Sequence, residues 1–112
     1  MPRWRSRRIG MVDALNQMAF CYILYSSSLD RYYIGSCRDL NMRFQNHLDK
    51  IYPNSFTSKA NDWVIYYSIE LLDISSAIRF EKHIKKMKSR KFIEKLKNSP
   101  ELETNLKLIF SK

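Results

Sequence analysis

Two short runs of aromatic and β-branched residues lie close together near the start of the chain. Residues 20–26 (FCYILYS) and 32–36 (YYIGS) both have the composition of β-strands. The segment between them, residues 27–31 (SSLDR), consists mainly of short polar residues that turn the backbone readily. The sequence therefore predicts a β-hairpin over residues 20–36.

Apolar residues after the hairpin recur at the spacing of helices and of one further strand. Residues 39–51 have the period of a helix with one buried stripe, and Asp39 is the expected N-cap. Residues 63–69 (WVIYYSI) have the composition of a third strand. A second helix is expected to start near Asp73 or Ser75. A third helix is expected after an N-cap at Ser89. The residues expected to face inward are Leu40, Phe44, Leu48 and Ile51 in the first helix, Ile74, Ala77, Phe80, Ile84 and Met87 in the second, and Phe92, Ile93 and Leu96 in the third.

The element order ββαβαα predicts an α+β fold in which a small three-stranded antiparallel sheet is covered by helices. At 112 residues the chain supports one modest core, which we expect over residues 18–98. Residues 1–17 are expected to be a disordered basic arm, or an extension upstream of a start at Met18. Residues 99–112 are expected to form an amphipathic C-terminal tail.

A glycine and two tyrosines of the hairpin are the first candidates for a functional site. Within a strand, a glycine such as Gly35 usually marks a bulge or a place where another group approaches the backbone. Tyr22 and Tyr33 share a face of the hairpin if Ser26 pairs with Arg31. This register also sets Tyr22 opposite Gly35. Two strand tyrosines taken alone most often belong to the core, with their hydroxyls at its rim.

Arg43 and His47 lie along one flank of the buried stripe of the first predicted helix, because they are four residues apart. An arginine at the margin between core and solvent can grip a phosphate with two hydrogen bonds. The alternative for Arg43 is a side chain that lies over the sheet, and the alternative for His47 is an ordinary polar neighbour.

Glu81 is expected on or beside the inner stripe of the second helix, where an unpaired charge costs several kcal/mol. Its carboxylate therefore needs a partner, either a protein cation or a hard divalent metal ion. Arg79, Lys82 and Lys85 are expected to point outward on the same helix, which leaves Arg43 as the candidate protein partner. A structural ion pair and a metal ligand both remain open.

Positive charge is concentrated in two segments of the chain. The chain has 20 Lys and Arg against 11 Asp and Glu, a net charge of +9. Residues 79–97 carry nine basic residues against two acidic ones, and residues 1–17 are rich in arginine. Such clusters favour a polyanion as partner, because each neutralised phosphate releases counterions. Nucleic acid is the favoured polyanion, and a merely solvated helix face is the alternative.

The two cysteines, Cys21 and Cys37, have no zinc-type spacing and would point to opposite faces of the hairpin in the register above. This pattern is typical of a reduced, cytoplasmic protein without structural zinc. No apolar run is long enough to span a bilayer, and no apolar signal-peptide segment follows the first arginines. We expect a monomer or weak dimer without a membrane partner.

Taken together, Tyr22, the sequence YIG ending at Gly35, Arg43, His47 and Glu81 resemble the GIY-YIG nuclease superfamily. The similarity is to its small single-domain bacterial members and runs from about residue 20 to residue 97. It implies the family's fold and an activity of the kind found in homing endonucleases, some restriction enzymes and the incision subunit of nucleotide excision repair.

The resemblance implies a metal-dependent endonuclease that hydrolyses phosphodiester bonds in DNA with one Mg²⁺ or Mn²⁺ ion. It implies that Tyr22 and Tyr33 handle the attacking water and that Arg43 stabilises charge on the phosphoryl group. Glu81 would bind the metal. His47 matches a position that often supports the nucleophile or the phosphate.

Other residues fit the family pattern less closely. Phe20 and Cys21 stand where the first motif has Gly-Ile, and Asn98 is the candidate for a late asparagine that assists in several relatives. Lys59 resembles a loop lysine of close relatives and would contact the nucleic-acid backbone. Further candidate contacts to nucleic acid are Lys82, Lys85, Lys86, Lys88, Arg90 and Lys91.

Two other classes of protein remain as alternatives to an active endonuclease. One is a catalytically weak or inactive nucleic-acid-binding module with the same fold. The other is a basic subunit that docks on an acidic protein, which would leave Gly35 and Glu81 unexplained.

Overall fold

The structure is a computed structural model that describes residues 18–49 and 56–110. The predicted basic arm or extension at residues 1–17 lies outside the described residues, as does the predicted end of the first helix at Ile51. Within the described ranges, no helix is long and apolar enough to cross a membrane.

Three strands and four helices make up the described part of the chain. The strands are β1 (Ala19–Ser26), β2 (Arg31–Cys37) and β3 (Trp63–Leu71). The helices are α1 (Leu40–Leu48), α2 (Ile74–Met87), α3 (Arg90–Asn98) and α4 (Pro100–Phe110), and a short 3₁₀ helix spans Phe56–Lys59. The strands form one antiparallel sheet in the order β2-β1-β3. The predicted α+β fold and its order ββαβαα are confirmed, with α4 added after them.

The hairpin has the register in which Tyr22 and Tyr33 share a face. Ser26 pairs with Arg31, and Tyr22 pairs with Gly35. The Asp62 carboxylate stabilises the loop between β1 and β2. It accepts hydrogen bonds from three consecutive serines, Ser26, Ser27 and Ser28. These bonds lower the pKa of Asp62, with the bond from Ser26 contributing most.

The sheet has a core on each face. One face packs against α2, α3 and α4 through the buried residues Ala19, Cys21, Ile23, Ile69, Leu71, Ala77, Phe80, Ile84, Ile93, Leu96 and Leu106. The other face lies under α1 and the 3₁₀ helix and is formed by Tyr22, Leu24, Cys37, Ala60 and Trp63, with Tyr33, Leu40 and Phe44 packed against them. Cys21 and Cys37 are therefore on opposite faces, as this register requires, and both are free thiols.

The predicted N-caps are confirmed at three helices. The Asp39 carboxylate accepts from Met42 N at the start of α1, and Asp73 and Ser89 cap α2 and α3 in the same way. Such caps typically stabilise a helix by about 1 kcal/mol each, because they satisfy backbone donors that have no partner inside the helix.

The buried stripe of α1 differs from the predicted one. Leu48 is 38% exposed, whereas His47 is 2% exposed and is the buried residue of this helix. The physical reason is that the face of the sheet below α1 offers polar groups, so the helix is turned to bury its imidazole instead of a leucine. The predicted inward position of Met87 at the end of α2 is also wrong, since this residue is 44% exposed.

The helix α4 packs on the same core as α2 and β3. Leu106 is buried within it, and the Phe110 ring centroid lies 5.8 Å from that of Phe80. The Tyr67 hydroxyl of β3 donates to Glu103 at 2.5 Å. Residues 100–110, which the sequence analysis placed in a C-terminal tail, thus contribute to the core.

The aromatic ring of Tyr22 lies across Gly35. A Cβ atom added at Gly35 would lie 2.5 Å from the Tyr22 hydroxyl oxygen and 2.6 Å from its Cζ. Both distances are too short for real atoms, so the ring occupies the space that a side chain at this position would need. Gly35 is therefore required by the close approach of Tyr22, not by a turn or a bulge.

Replacing Gly35 with Ala tests this contact. Because the Tyr22 ring is buried and has little room to shift, G35A should lower the free energy of unfolding by about 1–3 kcal/mol in urea denaturation. The matched control is Ser68→Ala, since Ser68 is exposed and pairs with Tyr22 from the β3 side. It should change stability by less than about 0.5 kcal/mol. A G35A variant as stable as the wild type would contradict the contact.

Candidate active site

Tyr22 is part of a buried chain of hydrogen-bonding groups. Its hydroxyl lies 3.0 Å from Nε2 of His47, and Nδ1 of the same imidazole lies 2.7 Å from Oγ1 of Thr57. Tyr22, His47 and Thr57 are 0%, 2% and 1% exposed. This network is sealed between the sheet, α1 and the 3₁₀ helix.

The direction of the hydrogen bonds follows from Arg43. Its guanidinium hydrogen-bonds the Tyr22 hydroxyl, and a guanidinium has donors only. The Tyr22 oxygen therefore accepts from Arg43. Because the buried phenol proton also needs an acceptor, we assign it to Nε2 of His47, which leaves the ring proton on Nδ1 to be donated to Thr57.

Burial controls the protonation of this network. It lowers the pKa of His47 below its usual 6.5, and the charge of Arg43 lowers it further. Burial also raises the pKa of Tyr22, with a smaller rise from Tyr33 and an opposing effect of Arg43. At neutral pH the imidazole is therefore uncharged and the phenol keeps its proton.

Tyr33 lies beside the buried network but closer to solvent. Its ring centroid is 6.4 Å from that of Tyr22 and 5.1 Å from that of His47. The two tyrosines share a face of the hairpin, as the register predicted. Because Tyr22 is fully enclosed and Tyr33 is only partly buried, Tyr33 is the tyrosine of this pair that can meet a molecule from solution.

Arg43 connects the buried network with the surface. It is partly buried and borders a surface cavity of about 250 Å³ at the start of α1. The cavity is also lined by Cys37, Arg38, Asp39, Met42 and Asn46. Two arginines against one aspartate make this lining positive, and guanidinium groups bind phosphate oxygens well.

Glu81 reaches the sheet from the other face. The Ser36 hydroxyl donates to Oε1 of Glu81 at 2.7 Å, and the Lys85 ammonium donates to Oε2 at 2.5 Å. The Glu81 side chain is 17% exposed. The expectation that Lys85 points away from Glu81 is wrong, because residues four apart on a helix are neighbours and the lysine chain bends back along α2.

The two halves of the site meet on the strand β2. Gly35 lies under the Tyr22 ring, and the next residue, Ser36, donates a hydrogen bond to Glu81. Because successive residues of a strand face opposite sides of the sheet, these two contacts lie on different faces. Strand β2 is at an edge of the described sheet. The tyrosines on one face and the carboxylate on the other are thus brought to the same short stretch of strand.

The predicted nucleic-acid contacts occupy two regions. Lys59 is exposed at the end of the 3₁₀ helix, on the α1 side of the sheet. The others are exposed around the end of α2 and the start of α3: Lys82, Lys85, Lys86, Lys88, Arg90 and Lys91. Arg90 is partly neutralised, since it forms an ion pair with Asp30 at 2.7 Å. Its guanidinium also lies 5.2 Å from the centre of the Tyr32 ring.

Glu81 has the chemistry of a ligand for a hard divalent ion. Its carboxylate is near the surface and is already oriented by Ser36. Among the residues that the structure describes, no group of three or more His, Cys, Asp or Glu could hold a metal ion. An ion at Glu81 would therefore take most of its ligands from water and phosphate, which suits Mg²⁺, an ion that usually keeps several waters.

The roles of three residues in this arrangement were not predicted from the sequence. Thr57 was placed in a polar loop without a role, Ser36 was treated only as part of the hairpin, and Lys85 was excluded as a partner of Glu81. The four-residue spacing of Glu81 and Lys85 was a usable signal. No spacing in the sequence pointed to Thr57, because its contact with His47 is made by the fold.

Asn98, the candidate for the late asparagine, donates its amide to the Glu94 carbonyl within α3.

The lowered pKa of His47 predicts a loss of stability in mild acid. The unfolded chain takes up a proton near pH 6.5, while the folded state resists it, so unfolding becomes easier as pH falls. We expect the free energy of unfolding to drop by up to about 1.4 kcal/mol per pH unit below that value. His47→Gln should remove this slope between about pH 7 and pH 5.5, and His83→Gln, the control, should retain it. An unchanged slope in H47Q would contradict the assignment.

The arrangement agrees with a comparison to known protein families. The family model described as the GIY-YIG catalytic domain matches residues 18–97. No curated protein and no solved structure matches the chain. The matched segment spans more than half of the chain and contains the tyrosine pair, Arg43, His47 and Glu81. The chain therefore belongs to the GIY-YIG family of nucleases.

Proposed function

We propose that the protein is a metal-dependent endonuclease that hydrolyses phosphodiester bonds in DNA. The observation that carries this proposal is the position of Glu81, whose carboxylate is held by Ser36 on one face of β2, while Tyr22 lies over the next residue, Gly35, on the other face. A carboxylate, a solvent-facing phenol and a guanidinium are the groups needed to hold and attack a phosphate diester. Membership of a nuclease family supports the same conclusion.

Glu81 would hold one Mg²⁺ or Mn²⁺ ion, with Ser36 keeping the carboxylate in place. Such an ion polarises a phosphoryl oxygen and stabilises the leaving alkoxide. The other ligands would come from water and from the substrate, because the described residues contain no group of three or more His, Cys, Asp or Glu that could hold a metal ion.

Arg43 and Tyr33 would act on the substrate directly. The Arg43 guanidinium borders a positive surface cavity, where it can bind a phosphoryl oxygen and neutralise the charge that develops as water attacks phosphorus. Tyr33 would orient the water, because its phenol oxygen can accept a hydrogen bond from it. As the new oxygen–phosphorus bond forms and the bond to the leaving oxygen breaks, the water's proton would pass to solvent and the leaving oxygen would take a proton from solvent.

Tyr22 and His47 would act through these groups. Both are buried, so neither can touch the substrate in this arrangement. Tyr22 accepts a hydrogen bond from Arg43 and is held in turn by His47. They would therefore be positioning residues that fix the orientation of Arg43 and the packing of Tyr33.

One observation favours the alternative of an inactive nucleic-acid-binding module. Both carboxylate oxygens of Glu81 already have protein partners, Ser36 and Lys85. If this ion pair were permanent, Glu81 would stabilise the fold and would not bind metal. The basic surface would then bind DNA without cleaving it.

Cleavage of supercoiled plasmid separates the two functions. With Mg²⁺ or Mn²⁺ we expect nicking that EDTA abolishes. Glu81→Ala, Arg43→Ala and Tyr33→Phe should each lower the rate by about a hundredfold or more, because each removes a group that acts in the transition state. Glu70→Ala, which removes an exposed carboxylate of β3, is the control and should cut like the wild type. Equal traces of cutting in wild type and variants would refute the nuclease.

Salt dependence of DNA binding tests the basic surface. Each lysine that neutralises a phosphate contributes about 0.9 to the slope of log affinity against log salt. We therefore expect Lys88→Ala and Lys91→Ala each to reduce the slope by about that amount in fluorescence anisotropy titrations with EDTA present. Lys107→Ala, which removes an exposed lysine of α4 outside the predicted set of contacts, should leave it unchanged. Equal slopes in all proteins would exclude this surface as the DNA contact.

A further inference from the structure

Lys85 occupies the side of Glu81 that a metal ion would need. The ammonium lies 2.5 Å from Oε2, while the Ser36 hydroxyl holds Oε1 at 2.7 Å. The Ser36 bond fixes the carboxylate on the strand β2. The lysine contact therefore covers the oxygen that faces away from that strand.

We propose that Lys85 is a resident cation that a divalent ion must displace from Glu81. This inference rests on the proposed function, since it takes Glu81 as the metal ligand. An ammonium and a divalent ion in contact with the same oxygen repel each other strongly, so binding of the ion at Oε2 favours departure of the ammonium. The metal affinity of this protein is thus set by competition between the Lys85 ammonium and the metal ion for Glu81. The hydrogen bond from Ser36 to Oε1 is compatible both with the lysine-bound and with the metal-bound carboxylate.

The surroundings of Lys85 allow the exchange. Its side chain is 53% exposed, so the ammonium can leave Glu81 without crossing the core. It also lines a cavity of about 300 Å³ at the edge of β2, together with Arg31, Lys88 and Arg90. A released ammonium would remain hydrated at this positively charged cavity, beside the groups available to bind a phosphate.

The test is the affinity of the purified full-length protein for Mn²⁺ without DNA, measured by calorimetry and by the electron paramagnetic resonance signal of free Mn²⁺. Lys85→Met should bind Mn²⁺ about fivefold more tightly than the wild type, the factor expected for loss of a partly exposed ion pair. Lys85→Arg, which keeps the charge, should stay within about twofold of the wild type. The Glu81→Gln variant shows how much Mn²⁺ binds at other places on the protein.

The matched control is Lys86→Met, which removes the same charge from the next residue of α2. Lys86 is exposed, and its substitution by Met should alter the affinity for Mn²⁺ by less than about twofold. If the wild type binds Mn²⁺ through Glu81 but K85M binds no more tightly, the resident-cation proposal fails and the nuclease proposal stands. If neither protein shows binding that depends on Glu81 in the absence of DNA, the resident-cation proposal fails, and the plasmid cleavage assay decides the nuclease proposal separately.

Discussion

The contact between the Tyr22 ring and Gly35 is the interaction on which the rest of the site depends. It requires that these two residues face each other across the hairpin, and the register Tyr22 to Gly35 provides this. With that register, Tyr33 shares the face of Tyr22, and Ser36 turns to the opposite face toward α2. A slip of one residue would exchange the two faces and separate every group of the site.

In the proposed nuclease, the edge strand would allow groups from two separate helices to act on one substrate. The helix α1 covers one face of the sheet and brings Arg43, while α2 covers the other and brings Glu81. A sheet normally keeps such groups about 10 Å apart or more, because a layer of backbone lies between the helices. At β2 the described sheet ends, and we propose that a DNA backbone passing along this edge reaches both faces.

Much of the fold could be predicted from the sequence because its signals are local. Apolar spacing and polar turns predicted the hairpin, and Asp39, Asp73 and Ser89 were recognisable as helix starts. The register was one that the sequence allowed but did not single out. Periodicity shows which residues share a helix face, but not which polar group that face will meet. This is why the burial of His47 against Thr57 and the bond from Ser36 to Glu81 were missed. The packing of α4 depends on contacts of the same non-local kind.

In the proposed nuclease, Glu81 at the edge of β2 is the metal site. Anomalous diffraction from crystals grown with Mn²⁺, compared with crystals of the Glu81→Gln variant, tests this role most directly. We expect an anomalous peak bound to the Glu81 carboxylate in the wild type, with the Lys85 ammonium moved away, and no such peak in the variant. Manganese bound elsewhere, with Glu81 still paired to Lys85 at saturating metal, would contradict it.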